Sequence, residues 1–493
     1  MKKLLLLLLI AFLPGCMLAQ IKIGETTYAL LTEAIGASVS GDVIEISGPV
    51  TLTEQVGLGH ATGVRTFKGM TPDASIKLAN GARFILEAAG ETVFENITLI
   101  GADQAHEDWG AILTLFNGPT LILRNDTIRD AKTNAHAGAI RITSGATVEA
   151  YNTVFANNEA NQNGGVAFIE AGNTETLFDG CVFIGNKAGA NSTDAKGGAL
   201  FYAFGGDMKD HVIKNSAFIN NSSSNHGGAV GMESVNPLFI NCTFSGNTTV
   251  DNGGVIWMWH SGAECTTTLV NCTFYGNSAG NGAALFMNQA TTHYDVKNCA
   301  FVENEGVVIS SAVTPTTINI TNSYFPELPE GLTVGTGTGN IHEGDPYLAE
   351  LDVENGVVWH EVTTWRSVLV GLGNTNLLKI YSQTDQTGEP RDMTAPTITA
   401  GSYEYAGDGP VLGVKEEELS EITVHPNPAA EFIIINTPGR SNVSIYNING
   451  QLMTKKTVAA GEHRFDVSHY TKSVYVVKNE TENGTKYIRF IIK

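Results

Sequence analysis

The sequence predicts an all-β protein, a solenoid of stacked rungs followed by a small separate β unit. Three observations predict it. First, F-x-x-N recurs at Phe155, Phe183, Phe218, Phe244, Phe274 and Phe301, each followed three places on by Asn158, Asn186, Asn221, Asn247, Asn277 and Asn304. The steps between these phenylalanines are 28, 35, 26, 30 and 27 residues, a period that marks one supersecondary unit stacked on itself. Double glycines fall between them at Gly164-Gly165, Gly197-Gly198, Gly227-Gly228 and Gly253-Gly254, with Ala137-Gly138 and Gly282-Ala283 as relaxed copies. Second, apolar runs such as Arg83–Leu86, Thr120–Leu123 and Thr147–Ala150 are short and bounded by Gly, Asn and Asp, as strands are. Third, the pattern breaks near residue 411, where an acidic stretch leads into a compact segment of a different kind.

Each part of the chain can then be justified in order. MKKLLLLLLIAFLPGCMLAQ has two lysines, an apolar run and small residues, and reads as a secretory signal over 1–19, cut after Ala19. Leu13-Pro14-Gly15-Cys16 also resembles a lipoprotein cleavage box. No later segment approaches the ~20 apolar residues of a membrane helix, so the mature chain is expected to be exported, without a membrane span, and monomeric. Residues 20–50 are expected to cap the solenoid, with a short helix over 28–35 and a strand over 41–46. The solenoid follows over 51–410, each rung a set of short strands pairing in parallel with the rungs above and below. The phenylalanines should point inward and stack. The asparagine three places on should take a left-handed turn or bond along its column, and the double glycine should supply positive φ at another corner.

Composition limits the function. With 29 basic and 50 acidic residues the net charge is −21, which argues against nucleic acid and anionic membranes as partners. Acidic polysaccharides would also be repelled unless a cation bridged them. Five mature cysteines, Cys181, Cys242, Cys265, Cys272 and Cys299, are an odd number, which argues against a disulfide framework. Four of them stand two residues before a repeat phenylalanine and suggest a column of small buried side chains. They lack C-x-x-C spacing and aligned histidines, so no metal site is expected; calcium is possible but no motif supports it.

The paired F-x-x-N and G-G-A-[ILV] motifs resemble the repeats of chlamydial polymorphic outer-membrane proteins. More broadly they are similar to the pectate-lyase-like class (pectin lyase-like) of right-handed parallel β-helices, over about residues 130 to 305. The resemblance implies a right-handed parallel β-helix but leaves function open among lyases, hydrolases, adhesins and stalks. Residues 345–405, with Asp345-Pro346-Tyr347-Leu348, Thr384–Arg391 and Gly401–Tyr405, resemble the closing segment of bacterial surface β-helices. That likeness implies a terminal cap in which Asp385, Arg391 and Glu404 form a structural charge network. Residues 411–420 read as a linker.

Residues 421–493 carry His425-Pro426-Asn427-Pro428, then Val443–Gln451, and end in a basic strand. They resemble the C-terminal sorting domain of Bacteroidetes type IX secretion. The resemblance implies an immunoglobulin-like β-sandwich read by the type IX machinery, cell-surface or extracellular localisation, and in many cases cleavage with exchange for a lipopolysaccharide anchor.

No column of carboxylates suited to glycan cleavage is visible, so no catalytic residue is assigned. Asp179, Asp194, Asp207, Asp210, Asp251 and Asp295 fall at different offsets from their phenylalanines. Gly59–Gly63 lacks accompanying aspartates, and His106-Glu107-Asp108 suits a solvated loop. More suggestive are the columns around the double glycines. Just before the pair stand His136, Asn163, Lys196, His226, Asn252, Asn281. After it come two adjacent columns, Arg141, Phe168, Phe201, Gly231, Trp257, Phe286, and next to it Ile142, Ile169, Tyr202, Met232, Met258, Met287. Side chains alternate along a strand, so one of these two adjacent columns faces outward. Arg141, Phe168, Phe201, Trp257 and Phe286, with Trp259 and His260, are therefore the candidate contact face for a glycan or protein; burial beneath residues 187–196 or 203–211 is the alternative. Asp126-Thr127-Ile128 resembles a Bacteroidetes O-glycosylation sequon, making Thr127 a candidate for modification. The expected function is a non-catalytic, adhesin-like or carbohydrate-contacting surface protein. The alternative is a polysaccharide lyase or other glycan-active enzyme.

Overall fold

A computed structural model describes residues 19–407 and 423–493, apart from 60–62, 88, 144, 173, 204–209, 261, 263, 314–315, 327, 329, 336, 379, 427–428, 438, 448–451 and 482–483. The leader, Cys16, His60 and the 411–420 linker lie outside the described residues. The chain divides into two compact units, 1–407 and 408–493.

The first unit is a parallel β-solenoid. One rung runs through strands Thr147–Tyr151, Val154–Ala156, Glu159–Ala160 and Ala167–Glu170. Stacking the rungs builds a long sheet of 14 strands, a phenylalanine sheet of 10, a glycine sheet of 10 and a narrow sheet of five. Register follows the repeat: Phe155 pairs with Phe183, Phe183 with Phe218, Phe218 with Phe244, and so on to Phe301. At the N-terminal end the strands Gln20–Ile23 and Thr26–Tyr28 form an antiparallel pair beside Val43–Ser47. The helix Leu31–Ala37, slightly later than the sequence suggests, drives Leu31, Ala34 and Ile35 into the core.

Inside, the repeat phenylalanines stack face to face, with centroids 4.8, 4.4, 5.1, 4.9 and 4.5 Å apart along the column. The six F-x-x-N asparagines form a ladder. Asn221 is typical: its Nδ2 donates to Phe183 O at 2.9 Å and to Asn247 Oδ1 at 3.0 Å, while its Oδ1 accepts Asn186 N at 3.1 Å. A buried amide costs free energy unless bonded, and here the period lets each one meet the backbone of its neighbours.

The left-handed turn expected at these asparagines lies elsewhere. Positive φ falls one residue earlier, at Asn157, Gly185, Asn220, Gly246, Gly276 and Glu303, and at the outer column Asn152, Gly180, Asn215, Asn241, Asn271 and Asn298. The ladder position needs its side chain turned inward, so the chain reverses at the residue before it. In the double glycines the two members have different roles. Gly197 has φ +69°, whereas a Cβ on Gly198 would sit 2.0 Å from Gly228 O of the next rung.

All five described cysteines are buried and unpaired. Four share a column with Thr153 and Ser216, and burial pushes the Cys181 thiol up to about 12. Inert packing is the outcome.

Residues 341–405 depart from the expected terminal cap. They turn back as a strap along the outer face of the phenylalanine sheet. Val362, Leu369, Leu372 and Ala400 pack on Ala300 and Val302, and Leu378 and Ile398 pack on Val270. Ser402 N donates to Thr273 Oγ1 at 2.9 Å, and Thr243 Oγ1 donates to Gln386 Oε1 at 2.6 Å. The outward residues of these strands, Thr243, Ser245, Thr273, Tyr275, Ala300 and Val302, are uncharged, which suits them to a covering layer.

The second unit has an antiparallel three-stranded sheet, containing Phe432–Thr437 and Gly461–Asp466, and an antiparallel four-stranded sheet. Ile433, Ile435 and Phe465 of the first share one core with Val443, Ile445, Tyr475, Val477 and Phe490 of the second. Two sheets face each other across that core, as in a small sandwich.

Candidate contact face

The glycine sheet carries the two columns that the sequence singles out. Ile142, Ile169, Tyr202, Met232, Met258 and Met287 face inward and are fully buried. The other column faces outward, but it is not an open aromatic stripe. Phe168, Phe201, Trp257 and Phe286 are only 3, 2, 4 and 5% exposed, and they form a second apolar cluster outside the main core. The exposed-stripe expectation is therefore corrected for these four residues.

Their cover is built largely by the corner residues that precede the double glycines. His226 stacks on Trp257 at 4.9 Å with 9° between planes, and Lys196 Nζ lies 5.4 Å from the Trp257 ring centroid. His136 and Trp109 pack on Phe168 at 4.9 and 5.0 Å. Arg141 lies over Trp109 at 4.6 Å and Phe116 at 5.1 Å. Phe201 leans across Gly231, where a Cβ would meet its ring at 2.8 Å. Strand alternation requires that one of the two columns face outward but cannot count the layers above it.

What remains accessible is a half-buried rim of Trp109, Arg141, Glu170, Lys196, Glu233, Trp259 and His260. Arg141 bonds Glu170 of the next rung at 3.2 Å, and Lys196 pairs with Glu233 at 3.7 Å. Burial raises the Glu233 pKa, with Lys196 opposing it. Burial also lowers His226 and takes His136 down to about 4, with Arg141 adding to the effect; both imidazoles are therefore neutral at pH 7. Arg141 Nε, Trp257 Nε1 and His260 Nδ1 are buried without a hydrogen-bond partner among the described residues. The sequence reading missed Trp109, Glu170 and Glu233. Glu170 and Glu233 were findable, since both stand two places after an outward residue and so on the same face.

Several acidic residues elsewhere are engaged. Asp179 pairs with Lys214 at 3.1 Å and Asp108 with Arg83 at 3.1 Å, while Glu107 accepts from Asn134 at 2.9 Å. Among the described residues no three His, Cys, Asp or Glu side chains converge to hold a metal. Asp385, Arg391 and Glu404 do come together, inside the strap. Arg391 Nη1 meets Glu404 Oε2 at 2.5 Å and Thr399 O at 3.1 Å, and its Nη2 meets Gly401 O at 3.0 Å. Asp385 Oδ2 accepts Glu404 N at 3.0 Å, and its Oδ1 accepts Thr387 N at 2.8 Å. These groups tie backbone to backbone.

Thr127 is half-buried and lines an open cleft of about 360 Å³ with Thr71, Asn96, Thr98 and Asn125. Its neighbour Asp126 is 1% exposed.

Residues 423–493 match the secretion system C-terminal sorting domain. The chain ends in a sorting domain. Residues 241–258, which hold Phe244, Asn247 and Gly253-Gly254, match the Chlamydia polymorphic membrane protein repeat. The chain is also similar to the probable autotransporter YfaL of Escherichia coli (strain K12), at 26% identity over 358 residues, 67% of this chain and 25% of that protein. It thus spans about a quarter of that relative's length. With its type IX sorting domain, the protein is exported to the cell surface or extracellular space, and the tail interacts with the secretion machinery. No helix among the described residues is long and apolar enough to cross a membrane.

Proposed function

We propose that this exported solenoid is a non-catalytic, adhesin-like surface protein that contacts carbohydrate or protein along its glycine sheet. The observation that carries the reading is the rim of that sheet. Arg141–Glu170 and Lys196–Glu233 bridge rungs above a sealed aromatic layer. Such a face is rigid before any ligand arrives, and preorganisation lowers the cost of binding. Arg141, Trp259 and His260, with Trp109, would make the contact. Phe168, Phe201, Trp257 and Phe286 would support them from below. Thr127, half-exposed beside its cleft, would be available for glycosylation after export.

The test offers the full exported chain a panel of acidic and neutral polysaccharides, with and without calcium. Retention on one glycan without turnover, lost in Trp259→Ala, is the expected result. Release of reducing ends or of unsaturated uronates would instead make the chain a glycan-active enzyme.

A further inference from the structure

A second site lies on another side of the solenoid, where the strap meets the phenylalanine sheet. There a cleft of about 340 Å³ is lined by Tyr275, Glu303 and Tyr324 from the solenoid and by Asp345 and Tyr347 from the strap. Among the described residues, its only charged lining residues are the two carboxylates.

Both walls contain a residue in an unfavourable backbone conformation. Glu303 has φ +52° at the corner where the preceding rungs use Asn157, Gly185, Asn220, Gly246 and Gly276. Tyr347 has φ +45° and is 40% exposed. Left-handed φ suits Gly and Asn and costs other residues about 1 kcal/mol or more. A glutamate and a tyrosine therefore stand against local preference, and their side chains share one cleft.

The polar atoms of the walls hold the phenols of Tyr275 and Tyr324 and the backbone of Tyr347. Tyr275 Oη donates to Glu303, and burial beside that carboxylate pushes the phenol up to about 12. Tyr324 Oη donates to Gly344 O at 3.2 Å. Asp345 Oδ1 accepts Tyr347 N at 2.8 Å, and Thr363 N and Oγ1 both donate to Tyr347 O at 2.9 Å. Aromatic faces carry negative quadrupole potential and attract cations. Two carboxylates add to that attraction and would repel phosphate, sulfate or uronate.

We propose that this cleft binds an organic cation, an ammonium or guanidinium group, between Glu303 and Asp345 and against the rings of Tyr275, Tyr324 and Tyr347. A basic side chain of a partner protein and an amino sugar both present that chemistry. The site is independent of the glycine-sheet rim.

The experiment is calorimetric titration of the full exported chain with arginine amide, glucosamine and glucose. At least one cation binds, glucose does not, and Glu303→Asn or Asp345→Asn weakens binding by about tenfold or more. Both variants keep the fold: Asn suits the left-handed corner at 303, and at 345 it preserves an acceptor for the Tyr347 amide. Preference for arginine amide supports a protein source, and preference for glucosamine an amino-sugar source. Binding of neither cation, equal binding of glucose, or unchanged affinity in both variants overturns the proposal.

Discussion

The carboxylate of Asp126 accepts the backbone amide of Ile97, one rung earlier, at 2.9 Å, and that of Arg124 at 3.0 Å. It occupies the column that later rungs fill with Thr153, Cys181, Ser216 and Cys242, so its job is to satisfy a buried amide. Burial raises its pKa to about 7. The folded chain thus holds a proton that the unfolded chain releases near pH 4. Stability is fullest below that pH and declines as pH rises to about 7, by roughly 4 kcal/mol in all. Asp126→Asn should flatten this slope, read from urea midpoints between pH 4 and 8.

Removing one asparagine from the middle of the ladder should cost more than removing the last. Asn221→Ala orphans Asn186 N and Phe183 O, and Asn304→Ala orphans Asn277 N and Phe274 O. But Asn221 is fully buried while Asn304 is half-buried, where water can take over the lost bonds. A loss of about 3 kcal/mol is expected for Asn221→Ala and about half that for Asn304→Ala. Paired denaturant curves would check this; equal losses would contradict the ladder account.

Gly198 and Gly276 offer a contrast in why a glycine is needed. A Cβ at Gly198 meets a carbonyl 2.0 Å away, while one at Gly276 meets nothing within 4 Å and carries only the φ of +60°. Gly276→Ala should cost about 1–2 kcal/mol. Gly198→Ala should separate two rungs and cost several times more, seen as lost soluble yield or a much lower melting temperature.

Arg391 has no exposed side-chain surface and serves four backbone carbonyls besides Glu404. Arg391→Met leaves that carboxylate partly buried and unpaired, a loss of about 3–5 kcal/mol. Limited proteolysis should then cut within 341–405 while leaving the earlier rungs intact. Protection of the strap in this variant would refute its role as the fastener.

Trp257→Ala should lower stability by about 3–5 kcal/mol, because the ring is buried under His226 and Lys196. Trp259→Ala, at the half-buried rim, should cost much less. Thermal unfolding of the two variants would rank them.

The solenoid could be read from Phe155, Asn158 and Gly164-Gly165 because repetition turns a local pattern into a stack with one register. Less of the surface could be read. Strand alternation sends one of two adjacent columns outward without saying which. It says nothing of the second layer that covers Phe168 and Trp257, assembled from corner residues such as His136 and His226. The strap was visible as a motif, but its position was not. Ser402 finds Thr273, and Gln386 finds Thr243, across separations of 129 and 143 residues, and neither partner has a distinctive residue type. The tyrosine cleft combines residues from three separate stretches for the same reason.

The strap also sets an order of assembly. Rungs near the N-terminus can close as soon as the next one is present, since each touches only its neighbours. The rungs carrying Thr243 and Thr273 are different, because their outer faces wait for residues up to 405. A chain emerging amino end first would therefore remain open along this flank until almost all of the solenoid unit had appeared. The sorting domain would still be to come.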